Sequence, residues 1–142
     1  MTQIATAHAT STAAPAAFFA RWADMATWHE WNSDTEWARL DGPFEQGATG
    51  TLKPKGGPKV RFVVTELTDT AFVDVSRMPG ARIVFDHRIH VVAGRTEVSV
   101  TVSIEGPLRR LWTMILGADL AESVQPDLDA LVATVESAEV RA

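Results

Sequence analysis

Residues 81–105 read ARIVFDHRIHVVAGRTEVSVTVSIE, and the alternation inside this stretch decides the fold. Two period-two runs, Ala81–Val92 and Arg95–Glu105, flank Ala93-Gly94, a two-residue turn signal between strands. Pairing across that turn sets Ile89 opposite Val98, His87 opposite Val100, Phe85 opposite Val102 and Ile83 opposite Ile104. One face is then apolar except for His87, and the other carries Asp86, Arg88, His90, Glu97, Ser99, Thr101 and Ser103. A slip of one residue would invert both faces, so the clean segregation fixes the register.

Working outward, Pro79-Gly80 makes a similar turn that pairs Arg77 with Arg82, Ser76 with Ile83, Asp74 with Phe85 and Phe72 with His87. Further alternating runs are expected near Ile4–Ser11, Thr35–Leu40, Ala48–Lys53, Lys59–Leu67 and Ala71–Met78. Most of the joins are short and rich in Gly, Pro and Asp, which requires antiparallel neighbours. Pro15 opens a short helix bearing Phe18, Phe19 and Trp22, and a second helical turn covers Met25–Trp31. After Gly106-Pro107, apolar residues from Leu108 to Val135 recur every three or four positions, the stripe of a long amphipathic helix. Pro126 predicts a kink or break near Glu122–Gln125. The expectation is one α+β domain over residues 1–142: about seven strands in a curved antiparallel sheet around a long C-terminal helix, with two short helices between the first two strands.

Composition narrows the function. The chain has 142 residues, 46% hydrophobic and 22% charged, with a net charge of -5. That charge disfavours nucleic acid and anionic lipid. No cysteine is present, which removes disulfides, thiolate metal sites and thiol nucleophiles. The N-terminus lacks the pattern of a signal peptide and no apolar run is long enough for stable membrane insertion, so a cytoplasmic location is expected. The four histidines, His8, His29, His87 and His90, show no zinc-binding spacing, and no phosphate-binding glycine loop or nucleophile elbow occurs. No metal and no cofactor are therefore expected.

The order of elements and the residues themselves resemble the START-like helix-grip superfamily, and within it the polyketide cyclase/dehydrase and lipid-transport branch. The resemblance rests on Trp28-His29-Glu30-Trp31-Asn32, Phe62-Val63-Val64-Thr65-Glu66-Leu67, Pro79-Gly80 with Phe85-Asp86-His87, Gly94-Arg95-Thr96-Glu97-Val98 and Gly106-Pro107-Leu108. It implies a cavity between the sheet and the C-terminal helix that takes a lipid, a polyketide or another apolar molecule.

Candidate site residues follow from register. His87 and Asp74 share the inner face and are the candidate acid/base pair, with Asp74 orienting the imidazole. The competing reading of His87 is a core histidine satisfied by a backbone carbonyl, water or aspartate. Phe72, Phe85, Ile89 and Val100 would line the sheet side of a pocket, and Trp112 and Leu116 its helix side. Trp28 and Trp31 form either an aromatic gate or a plug at the open end. Arg61 stabilises an enolate if it points inward, although Lys53, Lys55, Lys59 and Arg61 also read as a solvated hairpin edge. Three functions fit: binding of a small hydrophobic molecule, cyclase/dehydratase chemistry through His87 and Asp74, or a partner-binding module with a solid core. The first is preferred, and the sequence leaves a homodimer open.

Overall fold

A computed structural model describes residues 2–141. Seven strands form one sheet: β1 (Thr2–Ser11), β2 (Thr35–Leu40), β3 (Thr49–Pro54), β4 (Val60–Leu67), β5 (Ala71–Met78), β6 (Ala81–Val92) and β7 (Arg95–Glu105). Between β1 and β2 lie α1 (Pro15–Ala23) and a 3₁₀ helix (Met25–Glu30), and α2 (Arg109–Arg141) closes the chain. The spatial order is β1-β7-β6-β5-β4-β3-β2, antiparallel throughout, so β1 and β2 are the edges.

The register expected from alternation is the register found. Phe72 pairs with His87, Asp74 with Phe85 and Ser76 with Ile83, while His87 pairs with Val100 and Ile89 with Val98. Differences are confined to ends: β1 begins at Thr2, β3 and β4 start one residue later, and α2 starts at Arg109 rather than at Pro107. The turn between β6 and β7 holds both central residues at positive φ, Ala93 at 52° and Gly94 at 77°. Two positive φ angles match the strand twist. Glycine adopts this conformation freely, whereas alanine is strained in it.

The break expected at Pro126 is absent, since α2 runs unbroken through it. Proline removes the bond to the Glu122 carbonyl, but Glu122 and Pro126 are both exposed, so that carbonyl is left on the solvated side of the helix. The neighbouring residues also bind this turn to the sheet. The Gln125 side chain donates from Nε2 to the His8 carbonyl at 2.9 Å and accepts from the His8 N–H through Oε1 at 3.1 Å. It acts as a one-residue surrogate strand on the edge of β1. Glu136 continues the seam by accepting from Ser11 Oγ at 2.7 Å. On the opposite side, Asp127 Oδ1 accepts from the Ser33 N–H at 3.2 Å and from its hydroxyl at 3.0 Å, just before β2. Both sheet edges are thereby tied to α2, and the sheet has to curve around it.

Inside this curve Phe18, Trp22, Phe72, Ile89 and Leu131 are fully buried. Among the described residues, no helix is long and apolar enough to cross a membrane.

The strain at Ala93 has a measurable consequence. Ala93→Asn, placing a residue that tolerates positive φ before Gly94, is expected to raise unfolding free energy by about 1 kcal/mol in urea titrations. An unchanged midpoint would mean that the turn carries no strain.

Candidate functional site

The inner face of β5 and β6 carries three polar side chains in an apolar setting: Asp74, Ser76 and His87. Ser76 was not among the expected site residues, although the same alternation that turns Asp74 inward turns it inward too. His87 is sandwiched between rings. Phe72 stacks on it with centroids 4.7 Å apart and planes at 14°, and Trp22 approaches to 5.1 Å.

The expected Asp74–His87 hydrogen bond is absent. His87 Nδ1 lies 3.8 Å from Asp74 Oδ1, too far for a bond, and sits 2.8 Å from the Phe72 carbonyl oxygen. A carbonyl only accepts, so Nδ1 carries the hydrogen and Nε2 is the bare nitrogen of the neutral ring. The backbone, and not Asp74, orients the imidazole, as in the reading of His87 as a carbonyl-satisfied core histidine.

Asp74 is left without that partner. It is 5% exposed, and its Oδ1 has no hydrogen-bond partner among the described residues. Burial raises its pKa from 3.8 to about 7, against a smaller lowering by its own backbone amide. Burial also depresses His87 to about 4, which the Phe72 carbonyl only partly offsets. Near neutral pH the site thus holds a neutral imidazole beside a half-protonated carboxyl group. Trp22 Nε1, on a ring that touches His87, is likewise buried and unpaired, as is Trp31 Nε1.

The first half of α2 is the less buried part of the helix. Phe85 on the inner sheet face and Trp112, Leu116 and Leu120 on the inner helix face pack against the core yet remain only partly buried. Phe85 is also the cross-strand neighbour of Asp74. The start of α2 is held by Trp112 Nε1 donating to the Pro79 carbonyl at 2.8 Å and by the Leu108 N–H donating to Gly80 at 2.9 Å. A separate open depression of about 310 Å³ lies away from this site, against Arg21, Glu30 and the last turns of α2.

The other expected site residues fall into two groups. Phe72, Ile89 and Val100 are buried on the inner face. Trp28 and Trp31 are buried as well, ring against ring at 5.8 Å, with Trp28 stacked at 6.4 Å on Phe62 and its Nε1 donating to the Trp22 carbonyl. They plug the end of the sheet. Arg61 is the correction: its neighbour Phe62 takes the inner face, so Arg61 points outward, 57% exposed, and binds Asp41 at 2.9 Å and Thr51 at 2.8 Å. Lys53 similarly pairs with Glu36 at 3.2 Å, so these two cations of the hairpin form surface ion pairs. No cluster of three His, Asp or Glu side chains placed to hold a metal occurs among the described residues.

With this geometry in view, residues 2–136 match the family model described as polyketide cyclase / dehydrase and lipid transport. The chain belongs to this family. Solved structures agree on the fold of such a family member. A protein from Thermus thermophilus is 17% identical, with a TM-score of 0.72 over 94% of this chain and 97% of its own. A START superfamily protein from Mycobacterium smegmatis is 12% identical, with a TM-score of 0.65 over 95% and 98%. DynU16, a putative protein in the dynemicin biosynthetic locus, is 14% identical, with a TM-score of 0.70 over 94% of this chain and 47% of its own. No protein of curated function matches the chain. The helix-grip architecture inferred from register is thus the architecture of the family.

The two displaced pKa values act on stability with opposite signs. From about pH 4 to 7 the unfolded chain ionises Asp74 while the folded chain resists, so this group lowers stability as pH rises. His87 does the reverse: between pH 6.5 and about 4 the unfolded chain gains the proton first, so stability is lost as pH falls. The two slopes oppose each other in the native protein. Asp74→Asn is expected to become more stable relative to the native chain by a few kcal/mol, order of magnitude, as pH rises from about 4 to 7 in denaturant titrations. A stability difference independent of pH would show Asp74 to be an ordinary carboxylate.

Proposed function

We propose that the chain binds a small, mainly apolar molecule with a carbonyl or phenol oxygen, seated between the inner face of β5–β6 and the first half of α2. The observation that carries this reading is the buried Asp74 carboxyl group with no partner for Oδ1. Leaving such a group unpaired costs about 1–3 kcal/mol, so a site of this kind is completed by a ligand or water. A protonated Asp74 offers an O–H donor, with the His87 ring 3.8 Å away through Nδ1. A ketone or phenol oxygen accepts from that donor, while Phe85, Trp112 and Leu116 provide apolar contact. Family membership supports an apolar ligand class.

Cyclase chemistry is the second reading, supported by the family description and by an acid and a base whose pKa values are pushed apart. Binding ranks above it on chemical grounds. A histidine held near a pKa of 4 is a weak base for removing a proton from carbon. In the cyclase reading Asp74 is the proton donor to the new alkoxide, and His87 must gain basicity once substrate is bound.

The test is a panel of aromatic polyketides, phenolic ketones and fatty acids followed by thermal shift and calorimetry. Phenolic ketones should raise the melting temperature, and Asp74→Leu should weaken their binding about 10- to 100-fold. If no compound stabilises the protein, or Asp74→Leu binds as well as the native chain, the proposal fails.

A further inference from the structure

The first half of α2 has apolar side chains on both its faces. Trp112, Leu116 and Leu120 turn toward the sheet, yet Leu111, Met114 and Ile115 are 47%, 81% and 54% exposed. No charged residue occurs between Arg110 and Asp119, and Ala118 is exposed as well. A helix that is apolar all round belongs in a larger assembly rather than in water.

The stripe has the form of a helix-pairing seam. Leu111, Ile115, Ala118 and Glu122 follow spacings of four, three and four residues, which keeps one line of side chains facing a partner helix. Its ends differ in charge. Arg110 stands at the N-terminal end, with no acidic residue in the helix's first turn, while Asp119 and Glu122 stand at the C-terminal end, all exposed. The patch is consequently complementary to itself when reversed. About a two-fold axis near Ile115, the basic end of one helix lies over the acidic end of the other, and the helix dipoles run antiparallel.

We infer that this face of α2 is the contact between two copies of the chain, packed as an antiparallel helix pair. An anionic bilayer is the poorer occupant, because Asp119 and Glu122 would face it and the chain carries a net charge of -5. The contact uses a different face of the helix from Trp112 and Leu116, so it leaves the proposed ligand site free.

Sedimentation velocity on the full chain tests the inference. In the tens of micromolar the native protein should sediment as a dimer, and Ile115→Glu as a monomer with an unchanged far-ultraviolet dichroism spectrum. Arg110→Glu and Glu122→Arg should each weaken the dimer about tenfold, and their combination should restore it. The inference is overturned if the native chain is monomeric at these concentrations, whether or not it binds phosphatidylglycerol vesicles. It is equally overturned if Ile115→Glu leaves a dimer intact or if the combined charge reversal fails to restore one.

Discussion

Both edges of the sheet are bound to the same turn of the same helix, and the site depends on that constraint. Gln125 completes the hydrogen bonding of β1 at His8, and two residues further on Asp127 receives the turn that enters β2 at Ser33. A seven-stranded open sheet has two edges that would pair with other chains. Here one edge is covered by side-chain amide and carboxylate groups, and the other is led back to the helix. The curvature needed to reach both sides of α2 makes the inner face concave and removes water from it.

That removal of water sets the chemistry. The hydroxyl of Ser76 and the ring of His87 are tolerable in such a setting, but a carboxylate is not. Asp74 responds by holding its proton up to about pH 7, the same physical response by which His87 loses its proton down to about pH 4. One cause acts on an acid and a base and leaves both neutral over a shared range. A pair of neutral groups in an apolar setting suits recognition of an uncharged oxygenated molecule better than it suits strong acid–base catalysis. The family description covers both kinds of activity, and these two neutral groups are the reason binding is the reading proposed for this member.

Most of the fold was legible because β5, β6 and β7 alternate without a break in register and the turns between them are short. The β5–β6 and β6–β7 registers follow from Pro79-Gly80 and Ala93-Gly94 alone, and they turn Asp74 and His87 to the same side. What alternation does not encode is distance along that face. It leaves His87 Nδ1 free to choose between Asp74 and a carbonyl, and the carbonyl of its directly opposite partner, Phe72, is nearer. Arg61 was ambiguous for a related reason: β4 had no turn of fixed length on its N-terminal side, so the inner position went to Phe62 only once the strand had paired. Pro126 misled because local propensity was set against tertiary anchoring, and the Gln125 and Asp127 contacts join residues far apart in sequence.

Enclosed by this architecture, Asp74 keeps its proton up to about pH 7. Carbon-13 NMR of the aspartate side-chain carboxyl carbons, with Asp74→Asn used to assign the resonance, tests it most directly. The Asp74 signal should titrate with a midpoint of about 7. A midpoint near the ordinary value of 3.8 would contradict it, because Asp74 would then be ionised and either solvated or paired.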